Sequence, residues 1–140
     1  MAHRVLVTVS GAGSAAALEL RDRLDESVRV WAVSLWGFAA ADLAGRTSVA
    51  VCSDAARGGE NVYGAASTRD DALGVVGVAY AQSGGRLPVC LSNPARLEGA
   101  AAQRMGLSLR AIDPERGVVD ADVGEWTVTL AFDALEFRIA

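Results

Sequence analysis

The side chains with the most reactive chemistry lie together in residues 54–67, DAARGGENVYGAAS. Asp54 and Glu60 supply carboxylates, Asn61 supplies an amide and Tyr63 supplies a phenol, with glycines between them. Two carboxylates can attack a sugar carbon or assist the departure of its substituent. We therefore predict Glu60 and Asp54 as catalytic residues, and Asn61 and Tyr63 as ligand-binding residues. A loop that is merely solvated would also be polar, and that alternative stays open.

A glycine-rich turn near the N-terminus is the second candidate site. Residues 11–16, GAGSAA, fit the pattern G-x-G-x-x-A between a β-branched run and an expected helix, where a phosphate can approach the helix N-terminus. The second expected strand ends in Ser-Leu-Trp, without the acid that a dinucleotide requires. Ordinary turn glycines are the alternative. The ligand-binding residues predicted at this edge are Ser10, Gly11, Gly13, Ser14 and Asp42.

The residue inventory excludes several kinds of catalysis. All 13 basic residues are arginine, so the chain has no Schiff-base lysine and no Walker A lysine. The single histidine, His3, lies at the N-terminus, which leaves no member for a Ser-His-Asp triad or a histidine zinc site. Cys52 and Cys90 fall in expected strands and are interpreted as buried apolar thiols. We expect no metal and no cofactor.

Charge and hydropathy narrow the range of partners. The net charge is -4 and the arginines are scattered, which argues against nucleic-acid binding through phosphate contacts. No apolar run reaches the ~18 to 20 residues of a membrane span, and the opening MAHRVLVTVSG shows no signal-peptide cleavage region. We therefore expect a cytoplasmic protein that binds neither nucleic acid nor membrane.

Apolar β-like runs alternate with segments of helical spacing along residues 1–112. The first expected helix depends on Ala16, Leu20 and Leu24, which are spaced by four residues. Such alternation is typical of a parallel sheet with right-handed crossovers. The predicted fold class is α/β: a single domain over residues 1–140 with a Rossmann-like, open, mostly parallel sheet of about five strands and flanking helices. Strands are predicted at 4–10, 28–35, 47–53, 87–92 and 107–112, and helices at 15–26, 36–45, 70–83 and 94–105.

The last segment, 117–140, changes to a period of two and is predicted as a C-terminal β extension. We expect an antiparallel hairpin that breaks at Asp133 and Ala134. Its apolar face must be covered, either by the domain's own helices or by a second copy of the chain. A homodimer formed through this hairpin is predicted. The alternating apolar residues are Trp126, Val128, Leu130 and Phe132, followed by Leu135, Phe137 and Ile139.

Residues 73–91, LGVVGVAYAQSGGRLPVCL, carry a Gly-x-Ala-x-Ala pattern before a glycine-bearing turn and an apolar strand. This stretch resembles nucleoside 2-deoxyribosyltransferase-like proteins, and the order of elements is similar over residues 4–91. The resemblance implies an α/β fold, a nucleoside or nucleotide-like ligand and chemistry at the N-glycosidic bond. The family's glutamate nucleophile stands two positions before the glycine that is Gly77 here, and this chain has Val75 at that position.

Two functions remain open from the sequence. The first is a small-molecule binding domain for a nucleoside or nucleotide-like ligand, acting as a non-catalytic sensing or assembly module that homo-oligomerises. The alternative is an enzyme that hydrolyses or transfers an N-glycosidic bond with the loop carboxylates Glu60 and Asp54. Convergence of these carboxylates, Tyr63 and the Gly11 turn on one pocket would favour the enzyme.

Overall fold

Alternation of inward and outward side chains, rather than helical spacing, dominates the observed structure. The computed structural model describes residues 4–40, 48–59, 70–77, 94–113, 117–120 and 122–137. Within these residues, no helix is long and apolar enough to cross a membrane. The elements are β1 (Arg4–Ala12), β2 (Ala15–Glu19), β3 (Val28–Ala40), β4 (Ser48–Cys52), β5 (Ala72–Gly77), β6 (Ala95–Glu98), α1 (Gly99–Gln103), β7 (Arg104–Asp113), β8 (Gly117–Asp120) and β9 (Glu125–Phe137).

The described strands form two antiparallel sheets. The first has the order β1-β9-β3-β6 and the second has the order β2-β7-β4-β5. The short strand β8 lies on the same edge of β7 as β2, because β4 occupies the opposite edge. If β8 is left out of the count, β1 lies beside β9 in the first sheet, and β2 lies beside β7 in the second. This interleaved order of eight strands is that of a jelly roll.

Side chains from both sheets form one continuous apolar core. In β9, Trp126, Val128, Leu130 and Phe132 point inward and are no more than 2% exposed. Phe132 meets Trp31 of β3 edge to face, with ring centroids 6.0 Å apart and ring planes at 87°. The strand predicted from the C-terminal alternation is therefore confirmed.

Several other predicted strands also match the structure. Those at 4–10, 28–35, 47–53 and 107–112 coincide with β1, β3, β4 and β7. The strand predicted at 87–92 lies outside the described residues. The helix predicted at 36–45 is wrong at its start, because β3 continues to Ala40, and the rest of it lies outside the described residues.

The predicted α/β fold is wrong, because the described strands pair antiparallel and are not Rossmann-like. The first predicted helix begins instead as β2, and Leu18 is buried there. Residues four apart share a face in a helix and also in a strand, so Ala16, Leu20 and Leu24 fit both structures. Leu18 discriminates, since it lies on the same side as Ala16 and Leu20 only in a strand.

The helix predicted over 70–83 is also wrong where the chain is described, and the one predicted over 94–105 is confirmed only at Gly99–Gln103. β5 pairs with β4, and its Gly74 and Gly77 each disfavour a helix by about 1 kcal/mol relative to alanine. The second segment forms β6, the five-residue helix α1 and the start of β7. Helix propensity is a weak preference that strand pairing overrides, which explains why alanine-rich segments such as these misled the prediction.

The predicted C-terminal hairpin is a single strand. β9 continues through Asp133 and Ala134 and pairs with β1 along one edge and with β3 along the other. Glu136 pairs with Val30 while Ala134 pairs with Trp31, so Leu135 is an extra residue that forms a β-bulge. The C-terminal segment is thus an inner strand of its sheet.

Candidate binding surfaces on the first sheet

The predicted glycine turn carries the chain from one sheet to the other. A Cβ on Gly11 would lie 2.5 Å from Cζ2 of Trp126, so the glycine makes room for that ring. Gly13 has φ of +83° and donates its N–H to the carbonyl of Gly124 at 3.1 Å. Ser14 follows in a bend, and its carbonyl accepts a hydrogen bond from β7 at 2.8 Å. A strand follows this turn, so the helix N-terminus that would favour a phosphate is missing.

The predicted carboxylate loop is described only at its start. Asp54 is exposed in the turn after β4, in the second sheet, and its main-chain carbonyl accepts a hydrogen bond from Nη1 of Arg57 at 2.6 Å. The depression beside Ser10 and Gly11 is lined by residues of β1, β3 and β9, and not by this turn. The other predicted site residues, Asp42, Glu60, Asn61 and Tyr63, lie outside the described residues.

On the outer face of the first sheet, three neighbouring rows carry no charged side chain. The hydroxyl oxygens of Thr8 and Thr129 are 3.0 Å apart, and those of Ser10 and Thr127 are 3.3 Å apart. Each row runs across β1, β9 and β3, because the strand register brings these residues directly opposite one another. We call this surface the hydroxyl face. Its rows are Leu6–Ala131–Ser34, Thr8–Thr129–Gly37 and Ser10–Thr127–Ala39, and of these residues Ala131 and Gly37 are buried.

The hydroxyl face has a projection on one side of its middle row and a hollow on the other. The projection is Leu6, which is 51% exposed. The hollow is an open depression of about 740 Å³ beside Ser10 and Thr127. Small residues at Gly11 and Ala39 leave this space empty of side chains, and the hollow reaches the Trp126 ring below. The two features lie on one surface, on opposite sides of the middle row.

An ion pair and an indole ring bound the hydroxyl face beyond Leu6. Arg4 donates from Nε and Nη2 to the two carboxylate oxygens of Asp133, at 2.7 and 3.1 Å. The hydrogen bond and the charge of Asp133 hold the pKa of Arg4 above its usual value, so Arg4 stays charged. Its guanidinium carbon lies 5.4 Å from the centre of the Trp36 ring, across β9. Trp36 is the extra residue of a bulge in β3, and bulges re-aim side chains in this way.

The sequence prediction named Ser10 but missed Arg4, Leu6 and Thr8 as surface residues, because it placed the first strand in the interior. β1 is instead an outer strand, with one face on the core and one on the surface. A signal was present in the sequence, since arginine, leucine, threonine and serine alternate with valines. The outward residues are Arg4, Leu6, Thr8 and Ser10, and the inward ones are Val5, Val7 and Val9.

Comparison of the chain with protein-family models, with curated proteins and with solved structures finds no match. Within the described residues, His, Cys, Asp and Glu form no group of three that could hold a metal ion. The geometry of the sheet surfaces is therefore what bears on function.

Proposed function

We propose that this chain is a non-catalytic assembly module of the cytoplasm, which pairs with a second copy of itself through the hydroxyl face. The proposal depends above all on the projection of Leu6 and the hollow beside Ser10, which lie on opposite sides of the Thr8–Thr129 pair. The chemistry of the face supports it too. A hydroxyl both donates and accepts hydrogen bonds, and an apolar group needs no opposite charge, so such a surface is complementary to itself.

A two-fold axis along the Thr8–Thr129–Gly37 row describes the pairing. The axis turns the Leu6 row of one copy onto the Ser10 row of the other, so each Leu6 enters the hollow of its partner. The same contact then forms twice, as in the isologous interfaces of most dimers. The end of the face that carries the Arg4–Asp133 ion pair then meets the end that carries Glu125.

The fold is compatible with this role but does not select it. Jelly rolls include self-assembling capsid subunits, sugar-binding lectins and cupins, so fold alone does not assign a function. In the described residues the space between the sheets is filled by Trp31, Phe38, Phe132 and aliphatic side chains. This filled interior favours contacts made on the outer surfaces.

The nucleoside alternative stays a prediction. A nucleotide-like ligand was expected because parallel strand ends and a glycine turn before a helix bind phosphate, and neither feature is part of the observed sheets. Chemistry at an N-glycosidic bond would depend on Glu60, which lies outside the described residues, and on Asp54, which is exposed.

We expect the substitution Leu6→Arg to convert a dimer into a monomer. The guanidinium is bulkier than the leucine side chain and would have to lose its water in a hollow lined by Gly11, Ala39 and Trp126 as well as by Glu125, and burial of a charge is costly even when it is paired. Sedimentation velocity over a dilution series measures the mass directly. The protein itself should sediment as a dimer at concentrations where Leu6→Arg sediments as a monomer.

Leu135→Arg is the matched control, because Leu135 is similarly exposed, at 48%, but lies off the hydroxyl face. This variant should remain dimeric. Trp126→Glu would not test the interface, since Trp126 is only 2% exposed and its replacement would disturb the core. A monomeric unaltered protein, or equal effects of the two arginine substitutions, would contradict the proposal.

A further inference from the structure

A second surface of the first sheet carries four charged side chains around an apolar floor. Arg57, Arg96, Glu98 and Glu136 are exposed and line one depression of about 470 Å³. This volume lies within the range of roughly 300 to 1,000 Å³ that is usual for small-molecule sites. Val30 lies between the two glutamates, because it pairs with Glu98 of β6 and with Glu136 of β9. We call this depression the charged groove.

The two arginines are held directly opposite each other. An isolated antiparallel bridge joins Arg57 to Arg96, with main-chain N···O distances of 3.0 and 2.6 Å. Like charges placed directly across a pair of strands destabilise a sheet. An anion bound beside both arginines would offset this unfavourable pairing of like charges.

Arg57 is also fixed in its orientation. Its Nη1 donates to the carbonyls of Asp54 and Ala56, at 2.6 and 2.7 Å. The turn itself is held by Asp70, whose Oδ2 accepts a hydrogen bond from the N–H of Gly58 at 2.7 Å. These contacts use one nitrogen of the guanidinium, and the remaining N–H groups are left for a ligand.

The charged side chains of the groove do not form ion pairs with one another. Among the described residues, no ion pair within 4.0 Å joins Arg57 or Arg96 to Glu98 or Glu136. A groove with two separate cationic and two separate anionic groups suits a ligand that has both charges. The floor between them is apolar, since Val30, Ala55 and Ala101 line it.

We propose that the charged groove binds a free α-amino acid with an aliphatic side chain. Its carboxylate lies between Arg57 and Arg96, where guanidinium groups form strong charge-assisted hydrogen bonds. Its ammonium group faces Glu98 and Glu136, and its side chain covers Val30. The site is separate from the hydroxyl face, so it does not depend on the pairing of two copies.

Isothermal titration calorimetry with leucine tests this site, with 4-methylpentanoate and 3-methylbutylamine as probes that lack the ammonium and the carboxylate respectively. Leucine should bind about tenfold or more tightly than either probe. Arg96→Gln and Glu98→Gln, both exposed substitutions, should each weaken leucine binding about tenfold or more. Arg104→Gln, an exposed change on the second sheet, should leave it unaltered.

The monomeric variant Leu6→Arg separates this proposal from the proposed function. Leucine should bind this variant as it binds the unaltered protein, whatever the oligomeric state. Absence of saturable leucine binding would overturn the proposal. It would also be overturned if 4-methylpentanoate bound as well as leucine, or if Arg96→Gln and Glu98→Gln bound leucine as tightly as the unaltered chain.

Discussion

Replacement of Trp31 by alanine should lower the free energy of unfolding by about 3 to 5 kcal/mol, the usual cost of removing a large buried aromatic ring. Trp31 is fully buried in β3 and meets Phe132 edge to face, so its loss leaves a cavity between the two sheets. The neighbouring side chains come from strands held in two sheets and can close such a cavity only in part. Urea unfolding followed by circular dichroism measures the change.

Trp36→Ala is the control for this substitution, because Trp36 lies in the same strand but on the outer face. Its loss should cost about 1 kcal/mol or less, as for most surface substitutions. The ratio of the two effects reports which face of β3 is inside. Equal losses for Trp31→Ala and Trp36→Ala would contradict the assigned orientation of the strand.

The second large effect is expected at Gly99, the first residue of α1. A Cβ on this residue would overlap the main-chain carbonyl oxygen of Val28, which belongs to β3. Rotation of a side chain cannot relieve this overlap, since the obstructing atom belongs to the backbone. Gly99→Ala should therefore lower the free energy of unfolding by about 2 to 3 kcal/mol, within the usual cost of overpacking.

Gly106→Ala is the matched control for Gly99→Ala. Gly106 is exposed in β7, and the nearest atom to its added Cβ would be 4.0 Å away, an ordinary contact. This substitution should change the free energy of unfolding by less than about 0.5 kcal/mol. A loss at Gly106 as large as the loss at Gly99 would contradict the close approach of α1 to β3.

The sequence specifies individual strands better than it specifies their partners. Alternation over Trp126 to Phe132 locates β9, and the valines of the first strand locate β1. Pairing direction has no comparable local signal, and it was inferred from helices expected in the connections. The helix predicted at 15–26 was wrong because a spacing of four residues suits both a helix and a strand. The parallel sheet was therefore a consequence of misassigned connections.

The surfaces were harder to predict than the strands for a related reason. Arg4 and Asp133 form an ion pair although they are far apart in the chain, and only the register of β1 with β9 brings them together. Arg57 meets Arg96 through a single bridge in the same way. The glycine motif did lead to Ser10 and Gly11, which line the hollow of the hydroxyl face. The motif indicated the place but not its role.

The two proposed surfaces divide the outer face of one sheet by charge. The rows that contain Leu6, Thr8 and Ser10 are neutral, whereas the rows next to Val30 contain the arginines and glutamates of the charged groove. Neutral rows lose little solvation when a large surface covers them, and charged rows retain water until a small ligand replaces it. This division favours self-association through the hydroxyl face and ligand binding in the charged groove.

The most direct test of the self-association surface mixes two variants that should each be monomeric. Leu6→Arg removes the projection, and Ser10→Glu places a carboxylate in the hollow. In a 1:1 mixture, the arginine at position 6 of one variant can face the glutamate at position 10 of the other. The second contact of the same pair is unaltered, because it joins Leu6 of the Ser10→Glu variant to Ser10 of the Leu6→Arg variant. Sedimentation velocity should show monomers for each variant alone and a heterodimer for the mixture. A mixture that stays monomeric, or a Ser10→Glu variant that pairs with itself, would contradict pairing through the hydroxyl face.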